Sequence, residues 1–156
     1  MANNNELVIN RTFNLPVDKV WQAWTQAESC KKWWGPKGYT CPSCTMDFRE
    51  GGKYLSAMRS PEGNEFWSTG VYKEIVQKEK LVCTDSFSDN KGNIIPAADL
   101  GMPGEWPMEC KVTITFKEDG DKTNMELHHE GIPAAMHEDC KAGWQSSLDK
   151  LEESFK

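Results

Sequence analysis

The chain has 156 residues, which suits one domain spanning residues 1–156. A chain of that length buries roughly two-thirds of its unfolded surface. Its net charge of −6 and pI near 5.1 speak against nucleic acid or an anionic membrane surface as partner. No apolar run approaches the roughly 18 residues of a membrane span, and the opening Met1-Ala2-Asn3-Asn4-Asn5-Glu6 carries neither a basic nor an apolar signal region. A soluble, cytoplasmic protein is expected.

Leu7, Ile9, Arg11 and Phe13 alternate with Val8, Asn10, Thr12 and Asn14, which predicts a first strand. Pro16 and Asp18 are helix-starting residues. Val17, Val20, Trp21 and Trp24 follow at helical spacing, so a short helix comes next. A second helical turn is expected from Glu28 to Trp33, stopping at Gly35-Pro36. These two helices plug one end of a sheet rather than cover it. From Gly38 to Glu130 the pattern changes to short strands broken by Gly, Pro, Asn and Asp. They are expected near Tyr39–Phe48, Lys53–Arg59, Phe66–Val76, Leu81–Phe87, Cys110–Lys117 and Thr123–Glu130. In the fifth of these, Cys110, Val112, Ile114 and Phe116 alternate with Lys111, Thr113, Thr115 and Lys117, the mark of an antiparallel sheet with one wet face. Residues 88–107 are rich in Gly and Pro and have no period. They form either a lid or binding loop or an inert insertion.

The chain ends on one apolar stripe, Met136, Cys140, Trp144, Leu148, Leu151 and Phe155, at steps of three and four. A lone amphipathic helix after a run of antiparallel strands must bury that stripe on the concave face of the sheet. The predicted class is therefore α+β in the order β-α-α-β6-α, with a curved antiparallel sheet wrapped around the last helix. A cavity between helix and sheet is the best functional clue.

Five tracts resemble the family named for homologues of the heat-shock protein 90 ATPase activator. They are Arg11-Thr12-Phe13 through Val20-Trp21-Gln22-Ala23-Trp24-Thr25, then Trp33-Trp34-Gly35-Pro36-Lys37-Gly38-Tyr39, and Asp47-Phe48-Arg49-Glu50-Gly51-Gly52-Lys53. Gly70-Val71-Tyr72-Lys73-Glu74-Ile75 and Gly143-Trp144-Gln145-Ser146-Ser147-Leu148-Asp149-Lys150-Leu151 complete them. The resemblance implies the helix-grip fold of the START-like, or SRPBCC, superfamily, shared with the birch-pollen allergen and polyketide cyclases. It implies less about activity, because that fold carries lipid binders, aromatase/cyclases and co-chaperone domains alike. The eukaryotic activators add an N-terminal chaperone-binding domain for which these residues leave no room, so chaperone contact is the weaker expectation.

The expected cavity lining is Phe48, Tyr54, Met58, Trp67, Tyr72, Phe87, Ile114, Phe116, Met125, His129, Met136, Cys140 and Trp144, with Trp34 and Trp106 closing the mouth. Apolar walls with a few polar tips suit a small, mostly hydrophobic partner such as a lipid, polyketide or aromatic molecule. A cyclase- or dehydratase-like enzyme using Tyr72, His129 or Arg11 is the alternative, and it lacks an evident inward carboxylate. A co-chaperone-type module is the third reading. No cofactor and no metal site are expected. Cys41 and Cys44 fall in a predicted strand, about 10 Å apart with side chains on opposite faces. A disulfide needs less than about 7 Å, and zinc needs two further ligands. The six cysteines are expected as reduced thiols packed as small hydrophobes. Alternation turns His129 inward and His128 outward, and His137 is expected in solvent. Arg11 shares parity with apolar neighbours and is open to three roles: a buried pair, an anion clamp or a solvated edge. Gly143 on the helix face suggests close helix–sheet approach or extra cavity space, since glycine costs about 1 kcal/mol there.

Overall fold

The computed structural model describes residues 6–101 and 106–155. β1 (Glu6–Phe13) is followed by α1 (Val17–Thr25) and α2 (Ala27–Cys30). Six strands succeed them: β2 (Thr40–Met46), β3 (Lys53–Arg59), β4 (Glu65–Val76), β5 (Lys80–Ser88), β6 (Cys110–Asp119) and β7 (Lys122–Glu130). A single 3-10 turn at Ala134–Met136 leads into α3 (His137–Glu153). This is the expected β-α-α-β6-α order.

The strands form one antiparallel sheet ordered β1-β7-β6-β5-β4-β3-β2. β2 to β7 are a plain meander, and β1 closes the far edge by pairing with β7 from Glu6↔Glu130 to Phe13↔Thr123. That register sets Leu7 and Ile9 opposite His129 and Leu127. Ile114 and Phe116 lie opposite Leu127 and Met125. One concave face thus collects the apolar half of each alternating strand.

Pro16, with φ −65°, opens α1, and its carbonyl accepts from the Lys19 and Val20 amides. Trp21 then meets Phe116 and Phe48 edge-on at 5.4 and 6.0 Å, which closes one end of the sheet. α2 is shorter than the predicted Glu28–Trp33. The Trp33 and Trp34 amides turn back onto the Cys30 carbonyl, and the fully buried Trp33 ring donates to the Ala23 carbonyl at 3.0 Å. Seating that indole in the core ends the helix early.

α3 grips the sheet most tightly at its C-terminal half. Leu148 and Leu151 are fully buried, whereas Met136, Cys140 and Trp144 are half-buried. The Lys150 ammonium donates to the Gly35 and Tyr39 carbonyls at 3.0 and 2.9 Å, and the Lys37 amide donates to Ser146 Oγ. These bonds pin the 35–39 loop to α3. Arg11 is paired, but at the surface: its Nη1 is 2.6 Å from Oδ1 of the exposed Asp149, so the pair is not a buried one. The Asn14 amide donates to Glu152 alongside it.

Four expectations are corrected. A bulge between Thr40 and Ser43 shifts β2 against β3, so Cys41 and Cys44 both turn inward instead of to opposite faces. A Cβ on Gly143 would meet only Pro36 Cγ, at 3.8 Å, so no close approach requires that glycine. His137 is half-buried, its Nε2 donating to the Ile132 carbonyl at 2.8 Å. The segment after β5 is not structureless. The Ile95 amide donates to the Phe87 carbonyl, Ser88 bridges Ile94, and a 3-10 turn runs from Ala97 to Leu100. Residues 102–105 of that segment, including Pro103 and Gly104, lie outside the described residues.

Candidate functional site

The site is built from side chains that the pleat points inward. Alternation along β5 aims Leu81, Cys83, Asp85 and Phe87 at the concave face, next to Tyr72 of β4 and Tyr54 and Ser56 of β3. With Cys44, Met46, Val112 and Ile114 from the sheet, and Trp24, Cys30, Trp34 and Trp144 from the helical side, all of these except Phe87 line an inner chamber. Its room is about 50 Å³ to the centres of water-sized spheres. A single water needs about 10–15 Å³ by that measure. A second, outer chamber of about 130 Å³ is lined by Met58, Phe66, Trp67, Ser68, Ser86, Phe87, Trp106, Pro107 and Cys110. Trp34 and Asp85 belong to both walls, so these two side chains divide the space.

Four indoles close a ring on the helical side. Trp24 meets Trp33 at 4.8 Å, Trp33 meets Trp34 at 5.5 Å, and Trp144 meets Trp34 and Trp24 at 5.7 and 5.9 Å. The indole N–H groups of Trp24 and Trp34 are buried without a hydrogen-bond partner. A buried donor left unpaired costs about 1–3 kcal/mol, so two on one cavity wall call for an acceptor there.

A polar chain crosses the wall between the chambers. The Tyr54 hydroxyl donates to the Thr84 carbonyl at 2.9 Å and lies 3.3 Å from Asp85 Oδ1. Asp85 Oδ2 is 3.4 Å from His129 Nε2, and Trp144 Nε1 donates to His129 Nδ1 at 3.1 Å. Because Nδ1 accepts from the indole, the proton of the neutral imidazole sits on Nε2, facing Asp85. That Nε2 is within ion-pair range but is not aligned as a hydrogen bond, which leaves a third buried donor unsatisfied. Burial, then the Asp85 charge, keep the Tyr54 phenol protonated well beyond its usual range.

The thiols differ among themselves. Burial, reinforced by Asp85, pushes Cys83 up to about 12 and Cys110 to about 12, while burial and the neighbouring Cys44 push Cys41 to about 11. Cys44 runs the other way. A hydrogen bond from Cys30 lowers it, helped by the Lys31 charge, and Cys30 is raised in return. All six cysteines are free. Among the described residues, no three His, Cys, Asp or Glu side chains converge as a metal-ligand set. No described helix is long and apolar enough to cross a membrane.

Of the residues expected from sequence, Trp34, Tyr54, Tyr72, Ile114 and Trp144 stand on the inner wall. Met58, Trp67, Phe87 and Trp106 stand on the outer one, with Trp106 5.4 Å from Phe87. His129 joins through Trp144 and Asp85. The structure places the rest elsewhere. Phe48 and Phe116 pack on Trp21 at the closed end, and Met125 is core at 2% exposure. Met136 and Cys140 lie on the half-buried start of the helical segment, on neither wall. Asp85 was not anticipated, and it is the inward carboxylate that the sequence reading lacked. Its parity with Leu81, Cys83 and Phe87 was the available signal. Trp24, Cys30 and Cys44 were also missed as wall residues.

Comparison with known proteins agrees with this architecture. A crystal structure of a protein from Nitrosomonas europaea superposes with a TM-score of 0.80 at 24% identity, covering 99% of this chain and 96% of that one. One from Chromobacterium violaceum gives 0.79 at 29% identity, covering 96% and 95%. An "Activator of 90 kDa heat shock protein ATPase homolog" from Dictyostelium discoideum is 33% identical over 122 residues. Those residues are 76% of this chain and 26% of that protein, so the chain spans about a quarter of the relative's length. Residues 14–156 match the profile described as "Activator of Hsp90 ATPase homolog 1-like protein". On a match of that extent, with the helix-grip architecture beneath it, the chain belongs to the Activator of Hsp90 ATPase homolog 1-like protein family.

Proposed function

We propose that the protein binds a small, mostly hydrophobic molecule carrying one hydrogen-bond-accepting group, seated in the paired chambers. The observation that carries this reading is the pair of buried N–H donors without a hydrogen-bond partner, those of the Trp24 and Trp34 indoles, on the otherwise largely apolar inner wall. Apolar walls supply the affinity, and a ligand carbonyl or phenol oxygen satisfies a donor that the fold leaves alone. Trp34 divides the chambers, so a ligand larger than either one requires its indole to swing aside. The family's fold, which commonly binds hydrophobic ligands, supports the same reading. Activation of a heat shock protein ATPase is what the Dictyostelium relative is named for, and it stays with that relative.

The test is a tryptophan-fluorescence titration with pairs of flat apolar compounds, each a ketone or phenol beside its hydrocarbon counterpart. Saturable quenching is expected, with the oxygen-bearing member bound more tightly. Recovering one buried donor is worth about 1–3 kcal/mol, which is about five- to 150-fold in affinity. Absence of saturable quenching across the panel overturns the reading.

A further inference from the structure

Asp85 is an acceptor-only carboxylate on the wall that the two chambers share, and its neighbours give it little. The Tyr54 hydroxyl has one proton, and the Thr84 carbonyl at 2.9 Å takes it ahead of Asp85 Oδ1 at 3.3 Å. His129 Nε2, at 3.4 Å, is out of line, and the Trp144 bond to Nδ1 keeps that imidazole neutral. Among the described residues, no lysine or arginine stands within ion-pair distance of Asp85. A carboxylate in a largely apolar wall is costly without a countercharge. On the outer side it faces an aromatic chamber. Trp34, Phe66, Trp67, Phe87 and Trp106 line that space, with Phe87 and Trp106 meeting at 5.4 Å and the exposed Phe66 and Pro107 at its rim. The faces of such rings carry negative potential and attract weakly hydrated cations.

We propose that the outer chamber binds the head of a small quaternary ammonium compound, with Asp85 as its counter-ion and the surrounding rings as its cage. The proposal goes beyond the binding role above, because it concerns the outer chamber alone and does not use the inner indole donors. A quaternary ammonium spreads its charge over methyl groups and has no N–H to satisfy, so it gives up little hydration on entering an apolar space. A bare metal ion would meet one carboxylate and no converging set of further ligands among the described residues. Size agrees with this choice. The chamber offers about 130 Å³, and an apolar cavity of about 150 Å³ admits benzene, whose bulk a trimethylammonium head matches. The rest of such a ligand leaves past Phe66 toward solvent.

The test titrates the full chain with choline and, in parallel, with 3,3-dimethylbutan-1-ol, which has the same shape with carbon in place of the charged nitrogen. Trp34, Trp67 and Trp106 on the wall report binding through their fluorescence. Choline is expected to bind more tightly, by about two- to thirtyfold from the rings alone, and less tightly as sodium chloride is added. Asp85→Asn should bring the two ligands to similar affinity. Asp121→Asn, at an exposed carboxylate in the turn between β6 and β7, should leave the preference for choline intact. Equal binding of the two ligands overturns the proposal. So does an equal loss of choline affinity in both variants, because it marks attraction to the net charge of −6 rather than to a site. Failure of choline beside saturable quenching by the ketone and phenol panel overturns the cation site and leaves the cavity reading standing. Preferential choline binding beside failure of that panel does the reverse. Comparing the two ligands on the unsubstituted chain decides the matter even if Asp85→Asn fails to fold.

Discussion

At the scale of single residues, the chain Tyr54–Asp85–His129–Trp144 decides what the cavity wall can do. Its members come from β3, β5, β7 and α3, so it also ties the helix to the sheet across the site. Trp144→Phe keeps an apolar ring of similar shape but strands His129 Nδ1 without its donor. A loss of about 1–3 kcal/mol is expected for that orphaned acceptor, read as a lowered urea midpoint at unchanged slope. Asp85→Asn keeps the shape and loses the charge facing His129, so it should weaken any ligand that depends on a fixed imidazole tautomer. Part of this site was legible in the sequence. Alternation was enough to turn His129, Tyr72 and Ile114 inward. Asp85 has the same parity as Leu81 and Phe87, yet a carboxylate at an inward position makes sense only beside Tyr54 and His129, and their proximity is a tertiary fact. Alternation put Cys41 and Cys44 on opposite faces, and the bulge that turns both inward leaves no trace in a period-two pattern.

At the scale of elements, the strand and helix periods read true because each has one buried face, whereas positions that depend on neighbouring backbone did not. Gly143 and Gly70 show the difference. In α3 an added Cβ at Gly143 meets only Pro36 at ordinary contact distance, so Gly143→Ala should gain about 0.5–1 kcal/mol from helix propensity. At Gly70 of β4 the added Cβ would lie against the Thr84 carbonyl and the Tyr54 ring, well inside contact. Gly70→Ala should therefore break the β4–β5 ladder beside the site and show as a large fall in thermal midpoint. The β1–β7 edge offers a pH signature of its own. His128 on β7 is held between Glu6 of β1 and Glu126, and its pKa is raised chiefly by the Glu6 hydrogen bond. A raised folded-state pKa contributes stability that is fully present below the unfolded value near 6.5 and is lost as pH rises through the folded value. Unfolding in urea at pH 6 and pH 8 should show a larger acid-side advantage for the natural chain than for His128→Gln. The difference should be less than about 1 kcal/mol, because the pair is partly solvated. An equal pH dependence in both proteins would remove the ion triad from the account.

At the scale of the whole molecule, the two halves of α3 do different work. Its C-terminal half is sealed to the sheet by Leu148, Leu151 and the Lys150 bonds to the 35–39 loop, while its N-terminal half is less buried and gives the inner chamber only Trp144. The amphipathic stripe gave no sign of this gradient, since Met136, Cys140 and Trp144 are as apolar as the residues that follow them. The fold is thus anchored away from the site, and Trp144 on the inner wall is less buried than Leu148 and Leu151. Lys150→Met should expose the contrast. Removing a charged donor from two carbonyls at about 3 Å costs about 1.5–3 kcal/mol, and it frees the 35–39 loop that directly follows Trp34, the partition between chambers. Ligand binding then supplies the complementary measurement. At a hundredfold excess over Kd a ligand adds about 2.7 kcal/mol, which for a chain of this size raises the thermal midpoint by about 5–11 °C. In Lys150→Met the midpoint without ligand should fall, and the ligand-induced rise should shrink because ordering the Trp34 loop consumes part of the binding energy. A rise of equal size in both proteins would mean that the loop takes no part in closing the cavity, and that Trp34 is a fixed wall rather than a movable one.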